Sequence, residues 1–339
     1  MDPLHKVRLA FVPGFLRTTA STSLLSSSSS CRRCPASKRH VAAAPKTLLK
    51  ASVAYSEDQP TAMEGMIQDV SHEQVQPWAV RKGIEVGYRL HNLPMIKYIE
   101  SMFTVHNETA NVWTHMLSAL VFFGMSIWLF THYFHVNPIP MVHRTLISLY
   151  AFCAGVTFGV SSIYHLFRDQ SLQWYNTLRA IDFQSILLLI TASYLPAISM
   201  AYHFTPTLQQ VYLSLVFLFF GVNTLGIQIA RKLQLNWLRY TLFAANTFWG
   251  IIPTLHVQHL PHPTMIHSTF FLRSAQIMWS CYAIGFLFYA LKLPERFRVL
   301  RAKMDLMFAS HTIWHIMVIL GASYWLMFLV KYARLLFGT

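Results

Sequence analysis

Long apolar runs separated by short charged connectors fill the chain from residue 109 onward. No Asp, Glu, Lys or Arg occurs between Glu108 and Arg144, Arg144 and Arg168, Asp182 and Arg231, or Arg239 and Arg273. The same holds between Arg273 and Lys292, and between Asp305 and Lys331. A helix needs roughly 20 apolar residues to cross a bilayer. The runs therefore predict seven spans, at about 112–134, 144–166, 182–203, 208–230, 238–257, 270–291 and 310–332. The Asp182–Arg231 stretch is long enough for two spans and divides near His203–Pro206. Strands do not compete, because an open sheet cannot satisfy its edge in hydrocarbon. The predicted fold class is an all-α membrane protein, a seven-transmembrane helix bundle over 112–332.

Upstream the pattern changes twice. Residues 61–111 are mixed and more acidic, with Trp78, Tyr88 and Tyr98 interleaved, which suits a cytosolic juxtamembrane segment lying on the membrane surface. Residues 1–60 carry a serine run from Ser26 to Ser30 and scattered arginines, and read as a disordered basic tail. Such an Arg/Ser-rich, acid-poor stretch also resembles a transit peptide. The unfolded tail is preferred because its apolar residues sustain no helical face.

Composition supports the membrane class. Of the 339 residues 54% are hydrophobic and 12% charged, against about 25% charged in soluble domains. The net charge of +14 is uneven: residues 1–56 hold nine Lys/Arg against Asp2 alone. That distribution argues against a nucleic-acid surface and suits contact of the tail with anionic lipid. The remaining excess lies between spans, where it sets orientation. Connections after spans two, four and six carry ten Lys/Arg, while those after spans one, three and five carry only Arg144 and Arg273. Positive charge favours the cytosol, which predicts a cytosolic N-terminus and an external C-terminus. Four cysteines make no disulfide framework: Cys153 and Cys281 lie in apolar runs, and Cys31/Cys34 is a lone C-x-x-C of incidental spacing.

This topology gathers ionisable residues at one leaflet. His165 ends span two, Asp182 opens span three, and His311 and His315 open span seven, all at the cytosolic face. Such residues in membrane helices are costly and mark functional sites by default. His311 and His315, at i and i+4, share a helix face and can grip one ion. Three imidazoles leave a tetrahedral Zn2+ with one open position, the pattern of catalytic zinc, which supplies an acidified water. Asp182 could then act as general base, and Ser161, one turn before His165, could bond the water or a developing oxyanion. Blander readings stand beside these. Asp182 could cap span three, Ser161 could be a packing residue, and His115, His132, His135, His143 and His203 read as interfacial or core. A second cluster, His256, His259, His262 and His267, reads as a solvated outer loop. Haem needs axial ligands on opposite faces, which the His311/His315 pair does not offer.

Three blocks carry a family resemblance. "HNETANVWTH" (106–115) precedes span one, "SSIYHLF" (161–167) is followed by "AID" (180–182), and "PERF" (294–297) precedes "SHTIWHIMVILGA" (310–322). Together, over about residues 75–330, they resemble the progestin and adipoQ receptor family of seven-helix proteins, which includes adiponectin and membrane progestin receptors. The resemblance implies zinc held by His165, His311 and His315, with Asp182 and Ser161 supporting the water, and an N-in topology. It implies a receptor with ceramidase-like activity on a lipid amide; the alternatives are a receptor that binds a steroid or an extracellular protein without hydrolysis, or an organelle scaffold in which the zinc is structural. It assigns "HNETANVWTH" to packing at the cytosolic boundary. The expected location is the plasma membrane, with Golgi or ER as alternatives.

Overall fold

The computed structural model describes residues 70–260, 265–297 and 306–338. The expected tail, 1–60, with Cys31 and Cys34, lies outside them. Among the described residues there are helices and no strands. Six helices are long and apolar enough to cross a membrane.

A short helix α1 (Met95–Ser101) precedes α2 (Thr109–Trp128), which continues through a wide π turn at Leu129–Tyr133 to Val136. Then follow α3 (Met141–Phe167), α4 (Leu172–Ala201) and α5 (Pro206–Lys232). After them come α6 (Asn236–Trp249), α7 (Ile251–His256), α8 (Met265–Leu291) and α9 (Ser310–Phe337). Local chemistry sets the boundaries. Pro140 directly precedes α3, Pro206 opens α5, and Ser171 caps α4 by accepting the Trp174 N–H. α5 stops where Gln234 adopts φ 58° and the Leu235 N–H donates to Ala230 O at 2.8 Å, a Schellman closure.

α2 to α6 pack each on the next, and α9 returns against α2, α3 and α4 as well as α8. The apolar windows of α3 and α4 are 61% buried, those of α5 and α8 only 22%, so α3 and α4 form the centre. Val211, Leu218, Val222, Leu225 and Ile229 on α5 are exposed apolar residues at helical spacing. Such a stripe is unfavourable in water and suits lipid contact.

Two expectations need adjustment. α4 begins at Leu172, about three turns before Asp182, so Ser171 and not Asp182 caps it. The stretch expected as one helix over 238–257 is divided into α6 and α7 at Gly250. Pro253 has no N–H to give the Trp249 carbonyl. The Tyr194 hydroxyl of α4 donates to the carbonyls of Asn246 and Thr247 at 3.0 and 3.1 Å, and the Tyr202 hydroxyl donates to Pro253 O at 2.7 Å. Interrupted backbone survives at membrane depth only where protein satisfies it. Glycine at 250 permits the approach: a Cβ there would lie 2.5 Å from Tyr194 Cε1.

Gly250→Ala should therefore lower the thermal stability of the detergent-solubilised protein, by about 1–3 kcal/mol for overpacking. An unchanged melting temperature would show that the Tyr194 contact does not constrain the break.

Candidate metal centre

His165 lies in the last turn of α3, and His311 and His315 in the first two turns of α9. Since α9 packs on α3, the three imidazoles meet at one end of the bundle. Each offers one nitrogen, and the three nitrogens lie within 4.8 Å of one another. His165 Nε2 and His311 Nε2 are 3.3 Å apart. Two nitrogens on a tetrahedral zinc, each at about 2.0–2.1 Å, stand roughly 3.3 Å apart. The donor set therefore fits zinc: neutral nitrogen ligands, mostly buried, with the closest pair at a ligating separation. It is the one group of three or more potential ligands among the described residues. Among the described residues the rival histidines form no such group. His256 pairs with the Tyr212 hydroxyl at 2.7 Å, His267 packs by its ring near Tyr332, and His262 lies outside the described residues.

Ser161 is buried one turn before His165, and Asp182 lies across from it on the adjacent helix, close enough for the two side chains to interact. The structure thus pairs Asp182 with Ser161 on adjacent helices and sets that pair beside the ligand-bearing turn of α3. The apolar cavity lined by Tyr194, Tyr202, Gly250, Pro253, Trp279 and Trp325 contains none of these residues.

Beneath the histidines lies a buried ionic network that spacing did not reveal. Glu108, at the N-cap of α2, takes Arg81 Nε at 2.7 Å and Arg168 Nη1 at 3.0 Å on Oε1. Its Oε2 accepts from Asn111 Nδ2 at 2.9 Å and lies 2.9 Å from His165 Nδ1. Burial alone would raise the Glu108 carboxyl, but Arg81, Arg168 and the His165 bond overcome it and hold the group well below the usual carboxylate range. Thr312 on α9 donates to Asn111 Oδ1 at 2.8 Å, so the helix bearing His311 and His315 is tied to the same carboxylate. A second pair secures the turn carrying His165. Arg89, 1% exposed, donates to Asp169 Oδ2 and to His165 O, both at 2.8 Å.

The "HNETANVWTH" block does more than pack. Asn107-Glu108-Thr109 matches a glycosylation acceptor pattern, but Asn107 is buried and so sterically closed. The His115 ring, expected to be a core or interface residue, stacks on His315 with centroids 3.6 Å apart and planes at 6°. Neither His115 nitrogen has a hydrogen-bond partner. A carboxylate directly before a long uncharged run was the signal for Glu108: an acid at the membrane edge needs a partner. Its partner lies 57 residues away.

The Haemolysin-III related family model matches residues 103–326. The chain is 29% identical to a Drosophila melanogaster protein named Adiponectin receptor protein, over 69% of this chain and 53% of that protein. It is 29% identical to Homo sapiens Progestin and adipoQ receptor family member 3, over 70% of this chain and 77% of that one. It is also 29% identical to Arabidopsis thaliana Heptahelical transmembrane protein 1, over 66% and 68%. The chain spans only about half the length of the fly relative. With well over half its length matched, the chain belongs to the haemolysin-III related family of membrane proteins, together with progestin and adipoQ receptors.

Proposed function

We propose that this protein is a seven-span receptor, N-terminus in the cytosol, whose His165, His311 and His315 hold Zn2+ near the cytosolic face for hydrolysis of a ceramide-like lipid amide. The observation that carries this is the convergence of three imidazole nitrogens within 4.8 Å beside a Ser161–Asp182 pair. In this reading α6 and α7 together make the fifth crossing. The loop charges support the orientation, and the names of the relatives support a receptor.

When bound, zinc would supply Lewis acidity and an acidified water. Asp182 would take the proton that the attacking water sheds and return it to the departing amine nitrogen. A C–O bond forms at the carbonyl, the C–N bond breaks, and acid and amine leave. The Ser161 hydroxyl would hold the Asp182 carboxylate in place, or donate to the oxyanion as it develops. Lipid would enter between helices. An extracellular protein or a steroid would act as ligand from the plasma membrane surface, and the basic tail would rest on anionic lipid.

A second reading takes the metal as structural, fastening α3 to α9 in a receptor that does no hydrolysis. It is favoured by the ligands coming from helices that already pack together. The Asp182→Ala variant separates the two. Hydrolysis predicts that purified D182A keeps its zinc while release of fatty acid from a short-chain ceramide falls by roughly 10²- to 10⁴-fold. Turnover equal to the wild type, or none in either protein, favours the structural role.

A further inference from the structure

We infer that Glu108 is a positioning residue of the metal centre: its carboxylate accepts the Nδ1–H of His165 and holds that ring in the tautomer whose Nε2 lone pair is free for the ion. This rests on the metal reading above and adds to it a residue outside the ligand set.

A neutral imidazole carries one hydrogen, and its position decides which nitrogen can bind a metal. His165 Nδ1 has two neighbours with opposite demands. Glu108 Oε2, at 2.9 Å, can only accept, which requires hydrogen on Nδ1. Arg81 Nη2, at 3.2 Å, can only donate, which requires a bare Nδ1 and hydrogen on Nε2. The second state would aim an N–H at His311 Nε2, 3.3 Å away, and spoil the ligand set. The geometry favours the carboxylate, because Arg81 already has a better partner in Glu108 Oε1, at 2.7 Å. Asn111 and Arg168 fix the remaining lone pairs, and His165 and Glu108 are 0% and 2% exposed, so neither group has room to turn away. Among the described residues no carboxylate bonds His311 or His315. Outside the three ligands, the Thr114 hydroxyl lies 3.5 Å from His315 Nδ1. Carboxylates that orient metal-bound histidines in this way set both ring angle and ligand basicity. Arg81 comes from the segment before α1, so docking of that segment is coupled to the metal centre through Glu108.

The test uses Glu108→Gln in the full-length protein in detergent. An amide that turns its NH2 to His165 selects the wrong tautomer, and one that turns its oxygen there confronts two arginines with an NH2. Zn2+ affinity is read by competition with a chromophoric chelator, with size-exclusion profile and apo-protein melting as controls for folding. The expected result is a roughly 10- to 100-fold loss of Zn2+ affinity and faster zinc release in folded protein. Should E108Q not fold, Glu108→Asp keeps the charge that Arg81 and Arg168 require and withdraws the carboxylate by one methylene. It should weaken zinc in the same direction. Affinity within twofold of wild type in either folded variant would overturn the positioning role while leaving the metal reading intact. Failure of the wild type itself to bind Zn2+ would overturn both.

Discussion

Polar groups buried at the end of an apolar bundle must satisfy one another, because lipid offers them nothing. Here that constraint converges on one carboxylate. Glu108 pairs with both Arg81 and Arg168, meets His165, and reaches α9 through Asn111 and Thr312. Removing one partner from such a network leaves the other buried and unpaired, typically a cost of about 3–5 kcal/mol. The ends of α2, α3 and α9 are thereby held in one arrangement. Three imidazoles come within ligating distance as a consequence of that packing.

Much of this was legible in the chain. Charge-free runs gave five of the six long helices nearly at their boundaries, since apolar length is the dominant signal in lipid. The i, i+4 pair of His311 and His315 is a local pattern. Their meeting with His165 followed from reading the direction of each span. The start of α4 was not legible, because Leu172–Ile181 carries Arg179 and polar residues that fall outside an apolar run, yet they continue the helix beyond it. The break at Gly250 had visible signs in Gly250 and Pro253. What makes it stable, the hydroxyls of Tyr194 and Tyr202, comes from another helix about 50 residues away. The role of Glu108 was hidden for the same reason: a motif shows residue types, and only the folded chain shows which nitrogen a carboxylate faces.

The break and the metal centre are different uses of one rule. At Gly250, tyrosine hydroxyls satisfy carbonyls that the helix leaves unpaired. At the metal centre, the Glu108 carboxylate meets the imidazole of His165. The ring of His115, stacked on His315 with neither nitrogen bonded, is an exception, and it sets an apolar-like wall against the ligand helix.

The central claim is that His165, His311 and His315 form a zinc site. The most direct measurement is zinc per polypeptide, by elemental analysis of detergent-purified protein beside a His311→Ala/His315→Ala double variant. The account predicts about one zinc in the wild type and little in the variant, as a single tetrahedral site requires. A well-folded wild type without zinc, or a double variant that retains it, would contradict the account.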